Sequence, residues 1–205
     1  MVRPLPVFDL ATVVQLSEER RETIVQQLHR FSKAGKIIPL RRGMYALAEP
    51  YRKVPVQTAE LASLIYRPSY LSELWALSYY GLIPEAVPVF TSVSTRKPRR
   101  FQCEFGEYRY KNVKASVFFG YTAVELAGRK VILATPEKAL VDLWYCSKGE
   151  WTPERMREMR ISNASLIDPR ALSSIVDRIH KPRMHRALSA WRQIRSDEDE
   201  GELIP

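Results

Sequence analysis

Residues 17–47, SEERRETIVQQLHRFSKAGKIIPLRRGMYAL, are the stretch that sets the reading of the whole chain. Ser17 is a suitable N-cap, because its hydroxyl can accept an amide hydrogen from the first helical turn. Glu18 and Glu19 follow, where carboxylates suit the positive end of a helix dipole. Ile24, Leu28 and Phe31 recur at three- and four-residue spacing with Val25 beside them, giving one apolar stripe. Gly35 then offers the left-handed backbone that ends a helix at no steric cost. Two short apolar runs, Ile37-Ile38-Leu40 and Met44-Tyr45-Leu47, flank Arg41-Arg42-Gly43 and read as a hairpin. The order is therefore helix, stop, strand, basic tight turn, strand.

The polar face of this helix carries the functional signal. Arg20, Thr23, Gln27 and Arg30 fall at i, i+3, i+7 and i+10, away from the apolar stripe, with Gln26 and Lys33 close by. Arg and Gln read base edges through paired hydrogen bonds, and Thr can add one more. Arg41 and Arg42 at a hairpin tip are placed to straddle a phosphate backbone. A helix able to enter a major groove beside a basic hairpin is the winged helix-turn-helix arrangement. Asp9–Leu16, DLATVVQL, supplies the supporting helix: Asp9 caps it, and Leu10, Val13, Val14 and Leu16 face the longer helix. Modules of this kind often carry a further upstream helix. Only eight residues precede Asp9, so that helix is expected to be absent or replaced by packing from the rest of the chain. The plainer reading of the same residues is a solvated basic helix beside an ordinary hairpin.

The net charge of +9 and pI near 9.7 favour an acidic partner: nucleic acid, an anionic membrane surface or an acidic protein. Forty-five per cent hydrophobic residues suffice for a core. No apolar run approaches the ~18 residues of a membrane span, and MVRPLPVF is too short and Pro-rich for a signal peptide. These features favour a cytoplasmic protein. Cys103 and Cys146 are isolated and lack metal-ligand spacing, so both are expected as reduced thiols.

Pro50 and Pro55 mark a linker at residues 48–57. The predicted division is residues 1–50 as the DNA-binding module and residues 58–205 as a larger α+β domain. Within the latter, 58–146 form sheet and helices and 150–195 a helical extension. Thr58 is expected to cap a short helix, and Arg67-Pro68 to break it. Ser69 is expected to cap a buried helix, YLSELWALSYY, that ends at Gly81. From Val87 the pattern turns to strands: VPVFTSVST, then two around Gly106-Glu107, then two around Ala127-Gly128-Arg129. These predict a mostly antiparallel sheet of about five strands packed by helices. Thr135-Pro136-Glu137 opens a helix that lies across the sheet. The tail reads as helices broken at Asn163 and Pro182, with an acidic frayed end from Asp197.

Catalytic signatures are absent. There is no Gly-rich phosphate loop and no G-x-S-x-G elbow. His29, His180 and His185 have no metal spacing, and His29 is expected to be partly buried or turned to the backbone. No carboxylate pair stands in an apolar setting that would separate its pKa values. Asp142, the one acid inside the apolar run ALVDLW, is expected to cap or to pair with a basic sheet residue. No metal or cofactor is predicted. A second basic concentration comprises Arg96, Lys97, Arg99, Arg100, Arg109, Lys111 and Lys114, interleaved with Phe101, Phe105, Tyr108 and Tyr110. Alternation at period two would give one packed aromatic face and one wet basic face. That basic face is a solvated surface, an additional DNA-backbone contact or the site of an acidic protein partner.

The order of motifs resembles the AbiEi-type antitoxins of type IV abortive-infection toxin–antitoxin systems. The resemblance spans roughly residues 8–146 and is carried by RRGMYAL, YLSELWALSYYGLIPE and ILATPEKALVDLWY. It implies an N-terminal winged helix binding double-stranded DNA at inverted repeats in its own promoter. It also implies a C-terminal domain that neutralises a nucleotidyltransferase-like toxin, and no enzymatic activity. The DNA-reading residues it implies are Arg20, Arg21, Thr23, Gln27, Arg30, Arg41 and Arg42. The chain is expected to act as a monomer or weak dimer. A protein-interaction module with a vestigial winged helix is the competing reading, motivated by Glu18, Glu19 and Glu22, which would repel phosphates. A nuclease using the basic sheet would need clustered carboxylates for a metal.

Overall fold

The structure, a computed structural model, describes residues 6–201. Strand β1 (Val7–Asp9) leads into helix α1 (Leu10–Leu16), helix α2 (Arg21–Lys33) and the hairpin β2 (Ile37–Arg41) and β3 (Met44–Leu47). Helix α3 (Thr58–Ile65), strand β4 (Ser69–Leu71) and helix α4 (Glu73–Tyr79) follow. Next come β5 (Val89–Ser94), β6 (Arg99–Cys103), β7 (Gly106–Asn112), β8 (Tyr121–Leu126) and β9 (Arg129–Ala134). Helices α5 (Pro136–Cys146), α6 (Pro153–Glu158), α7 (Pro169–Ile179) and α8 (Pro182–Gly201) complete the described chain. The class is α+β, with a three-stranded antiparallel sheet ordered β1-β3-β2 and a six-stranded sheet ordered β6-β7-β5-β4-β9-β8.

The larger sheet is mixed, where a mostly antiparallel one was expected. β5 runs parallel to β7 and β4 parallel to β9, while the other three pairings are antiparallel. The parallel β5–β7 pairing arises because β6 lies at the sheet edge rather than between them, and the parallel β4–β9 pairing comes from β4, one of the two middle strands. Ser69, Tyr70 and Leu71 are all buried, so the segment shows no alternation and reads as part of the helix behind it. The helix proper begins only at Glu73, with Ser72 at its N-cap, and ends at Gly81, whose φ of +68° supplies the left-handed exit. Turn positions shift slightly as well: the β6–β7 turn falls at Glu104-Phe105, and Gln57 rather than Thr58 caps α3, accepting the Ala59 amide hydrogen. Other starts stand as read. Asp9 accepts from the Thr12 amide at 2.7 Å, and Thr135 from that of Lys138 at 3.3 Å. Helix α8 runs on from Asp197 through Gly201, where a frayed acidic end was expected, and residues 202–205 lie outside the described part. So do the first five residues of the MVRPLPVF segment.

The small sheet has two apolar faces. Ile37, Tyr45, Leu47 and Phe8 turn to α1 and α2, where Ile24 and Leu28 close a small core. Ile38, Leu40, Met44, Ala46 and Val7 turn the other way, and Leu40, Met44 and Ala46 join the buried cluster of the larger body. Strand period two makes this possible, since successive side chains point to opposite faces. The hairpin is thus packed on its second face by the larger body. Among the described residues no helix is long and apolar enough to cross a membrane.

Candidate nucleic-acid interface

Helix α2 buries Ile24 and Leu28 and shows the opposite side to solvent. That outward side carries Thr23, Gln26, Arg30 and Lys33, at i, i+3, i+7 and i+10, together with Glu22 and His29, all exposed. Arg21 and Arg20 are also exposed, on the flank and at the N-cap. Gln27 is half-buried, and its amide donates to the Glu19 carboxylate at 2.8 Å, so Gln26 takes the place on the outward line. Ser17 does not cap α2. It ends α1, and its hydroxyl accepts the Glu19 amide hydrogen at 3.1 Å, holding Glu18 and Glu19 in the turn before the helix. The apolar stripe is narrower than its spacing suggested: Val25 and Phe31 are exposed, with the Lys36 ammonium 5.5 Å from the Phe31 ring centre; on α1, Leu16 is 84 % exposed where it was expected to face the longer helix. His29 is exposed, where partial burial was expected.

The two hairpin arginines differ in role. Arg41 lies in β2 rather than in the turn and is half-buried. Its Nε donates to the Ile65 carbonyl at 2.6 Å and its Nη1 to the Arg42 carbonyl at 3.1 Å, so it ties the hairpin to α3. Arg42 stands at the tip, exposed. The Leu10 amide donates to the Gly43 carbonyl at 2.9 Å, fixing the tip against the start of α1. At +74°, the φ of Gly43 lies where a side chain would strain the turn.

The second basic patch divides. Aromatic Tyr108 and Tyr110 are buried on one face of β7, donating to the Thr58 and Ala62 carbonyls. On the other face Arg100 and Arg109 both pair with Glu107, at 2.8 and 2.7 Å, and Lys111 pairs with Glu73 at 3.0 Å. Arg100 and Arg109 thus share one carboxylate, and Lys111 has Glu73. Lys114 is exposed at the start of a short 3-10 turn, and Lys97 is exposed while its carbonyl accepts from the Tyr66 hydroxyl. Arg96 and Arg99 instead turn toward the hairpin. With Arg41, Arg42 and Arg67 they line an open cleft of about 770 Å³ between the hairpin and the larger body. Arg96 lies 4.7 Å over the Tyr66 ring and donates to the Arg67 carbonyl. In the sequence, Arg67 reads only as the residue before a helix-breaking proline. Its membership of the cleft depends on chain sections thirty residues apart, which no local pattern announces.

The larger body also holds three buried carboxylates, Glu73, Glu137 and Asp142, contrary to expectation. Asp142 pairs with Lys138 of its own helix rather than with a sheet residue, and both side chains are fully buried. The Tyr70 and Ser72 hydroxyls donate to Asp142 at 3.0 and 2.8 Å, and the Lys138 ammonium donates to the Tyr70 oxygen at 2.9 Å. Burial pushes the Asp142 carboxyl up, against the pull of Lys138. Glu73 is 1 % exposed and is pushed up to about 7, because loss of water outweighs the attraction of the partly solvated Lys111. Burial raises the neighbouring Cys146 thiol too. The K-x-x-x-D spacing at 138–142 was the available sequence signal, since residues four apart on a helix meet. Fully buried side chains offer no atom to a substrate, so this network is structural. Cys103 and Cys146 are free thiols. Among the described residues no cluster of His, Cys, Asp or Glu could hold a metal ion.

No protein-family model matches the chain, and no curated protein shows significant similarity to it.

Proposed function

We propose that the chain is a DNA-binding transcriptional repressor. In this reading β1 to β3 with α1 and α2 act as a winged helix-turn-helix. The observation that carries the proposal is the outward line Thr23, Gln26, Arg30 and Lys33 on a helix followed directly by a hairpin with an exposed Arg42 at its tip. Arg and Gln at helical spacing suit major-groove edges, and a tip arginine suits the flanking phosphates. The body from residue 58 onward would be the antitoxin-like domain, and the resemblance to AbiEi-type antitoxins supplies its partner, a nucleotidyltransferase-like toxin. Autorepression would act at inverted repeats, with two heads about 34 Å apart from a weak dimer or two monomers side by side. The matching compartment is the cytoplasm.

Competition binding with the region upstream of the protein's own gene tests this. The expected result is a preference of at least ~10³ over a random duplex at physiological salt. Equal affinity for both would overturn sequence-specific repression. One observation favours a second reading, a protein-interaction module with a vestigial reading head: Glu19 occupies the Gln27 amide and places negative charge beside the helix start. Stable capture of a nucleotidyltransferase-like protein together with non-specific DNA affinity would favour that reading.

A further inference from the structure

The cleft between hairpin and body concentrates cations without matching acids. Five arginines line it, and Asp9 is the acid among its lining residues. That carboxylate is already engaged in capping α1, which with the nearby Arg41 holds it below the usual carboxylate range. The side chains of Arg42, Arg67 and Arg99 have no partner among the described residues. Arg41 and Arg96, by contrast, are anchored to the Ile65 and Arg67 carbonyls, so the walls are fixed while the rim cations have no such tie among the described residues. Like charges converging this way repel one another, and an anion in their midst removes that cost.

The form of the cleft decides which anion. It is open and continuous with the hairpin tip, and the buried polar side chain in its lining, Tyr66, already donates its hydroxyl to the Lys97 carbonyl, so among the described residues no free buried group is left there to fix one orientation of a small molecule, as enclosed ligand pockets require. Guanidinium heads at a rim suit the repeated, sequence-independent charge of a polymer backbone. We propose that one strand of a DNA duplex runs its phosphates from Arg42 into this cleft, over Arg67 and Arg99, so that the larger body shares in DNA binding. The inference rests on the DNA-binding reading above and extends the DNA-facing surface beyond the reading head.

The test is a salt series of duplex binding with the full chain, comparing wild type, Arg67→Ala/Arg99→Ala and Arg67→Lys/Arg99→Lys. Both positions are exposed, and thermal melting checks that each variant stays folded. The alanine pair is expected to lower the log–log salt slope by roughly 2 and to weaken upstream and random duplexes by the same factor, while the lysine pair retains the slope. An unchanged slope in the alanine pair would overturn the cleft contact while leaving repression by the reading head intact. Loss of all binding in the cleft variants, with Gln26→Ala and Arg30→Ala silent, would keep the cleft and overturn the reading head. Absence of duplex binding in the wild type removes both, and protection of the cleft by free nucleotide with no slope change would reassign it to a small anion and overturn the proposal.

Discussion

Glu73 combines three unusual properties: burial, a left-handed φ of +55° and a carboxyl pushed up to about 7. Its titration is linked to folding. The folded carboxyl holds its proton more tightly than the unfolded one at 4.5, so stability is full below pH 4.5 and falls as pH rises through 7. The total loss is roughly 3 kcal/mol at most, at about 1.4 kcal/mol per pKa unit. Glu73→Gln is expected to flatten that part of the stability–pH curve and to be stabilising relative to wild type at pH 8, as measured by urea unfolding. Lys138 and Asp142 give a second test. Lys138→Met leaves a carboxylate buried without its cation and is expected to cost about 3–5 kcal/mol, whereas Lys138→Met/Asp142→Leu costs less than that single change. Gly120 belongs to the same site, since a Cβ there would come within 2.9 Å of the Lys138 stem. Asp142 is visible in the sequence as an acid in an apolar run, but its partner lies one turn away on its own helix rather than on the sheet. Glu73 gives no such signal, because one acid at the start of an apolar helix looks like an ordinary first-turn carboxylate.

On helix α2 the exposed side chains and the one tied to Glu19 make different predictions. Gln26→Ala and Arg30→Ala are expected to relax base preference, at ~1–3 kcal/mol for each bidentate hydrogen-bond pair removed. Arg42→Ala should weaken all duplexes alike and lower the salt slope by about 1. Glu19→Ala is expected to tighten DNA binding, because it frees the Gln27 amide and removes a charge that repels phosphate; anisotropy titration at fixed salt checks the sign. Capped helices were legible where a side-chain oxygen and a following amide lie within one turn, as at Asp9 and Thr135. Ser17 misled because its hydroxyl does accept a backbone hydrogen, two residues on rather than at the helix start. Strand β4 was illegible for a different reason. Three residues buried on both faces carry no period, and the parallel pairing of Leu71 with Leu133 is set by chain sixty residues away.

For the molecule as a whole, the arginine at position 41 shows how the parts are joined. It was expected to touch phosphate, and in the fold its Nε donates to the Ile65 carbonyl. Arg41→Ala is therefore expected to lower stability by roughly 1.5–3 kcal/mol, the range for a hydrogen bond to a charged group, discounted toward the lower end because the site is only half-buried. Chemical denaturation of the two forms measures the difference. Its effect on the salt slope should be smaller than that of Arg42→Ala. Positive charge and a basic helix are legible on a first reading of the sequence; the sharing of one core between hairpin and body is not, because it follows from which face of β2 and β3 each residue takes.

That shared core has a practical meaning for anyone dissecting the protein. Cut after Ala48, the amino-terminal piece would carry Ile38, Leu40, Met44 and Ala46 as a naked greasy plate, with nothing left to cover it. Such a fragment would clump instead of folding, and the remaining piece would bear the matching scar.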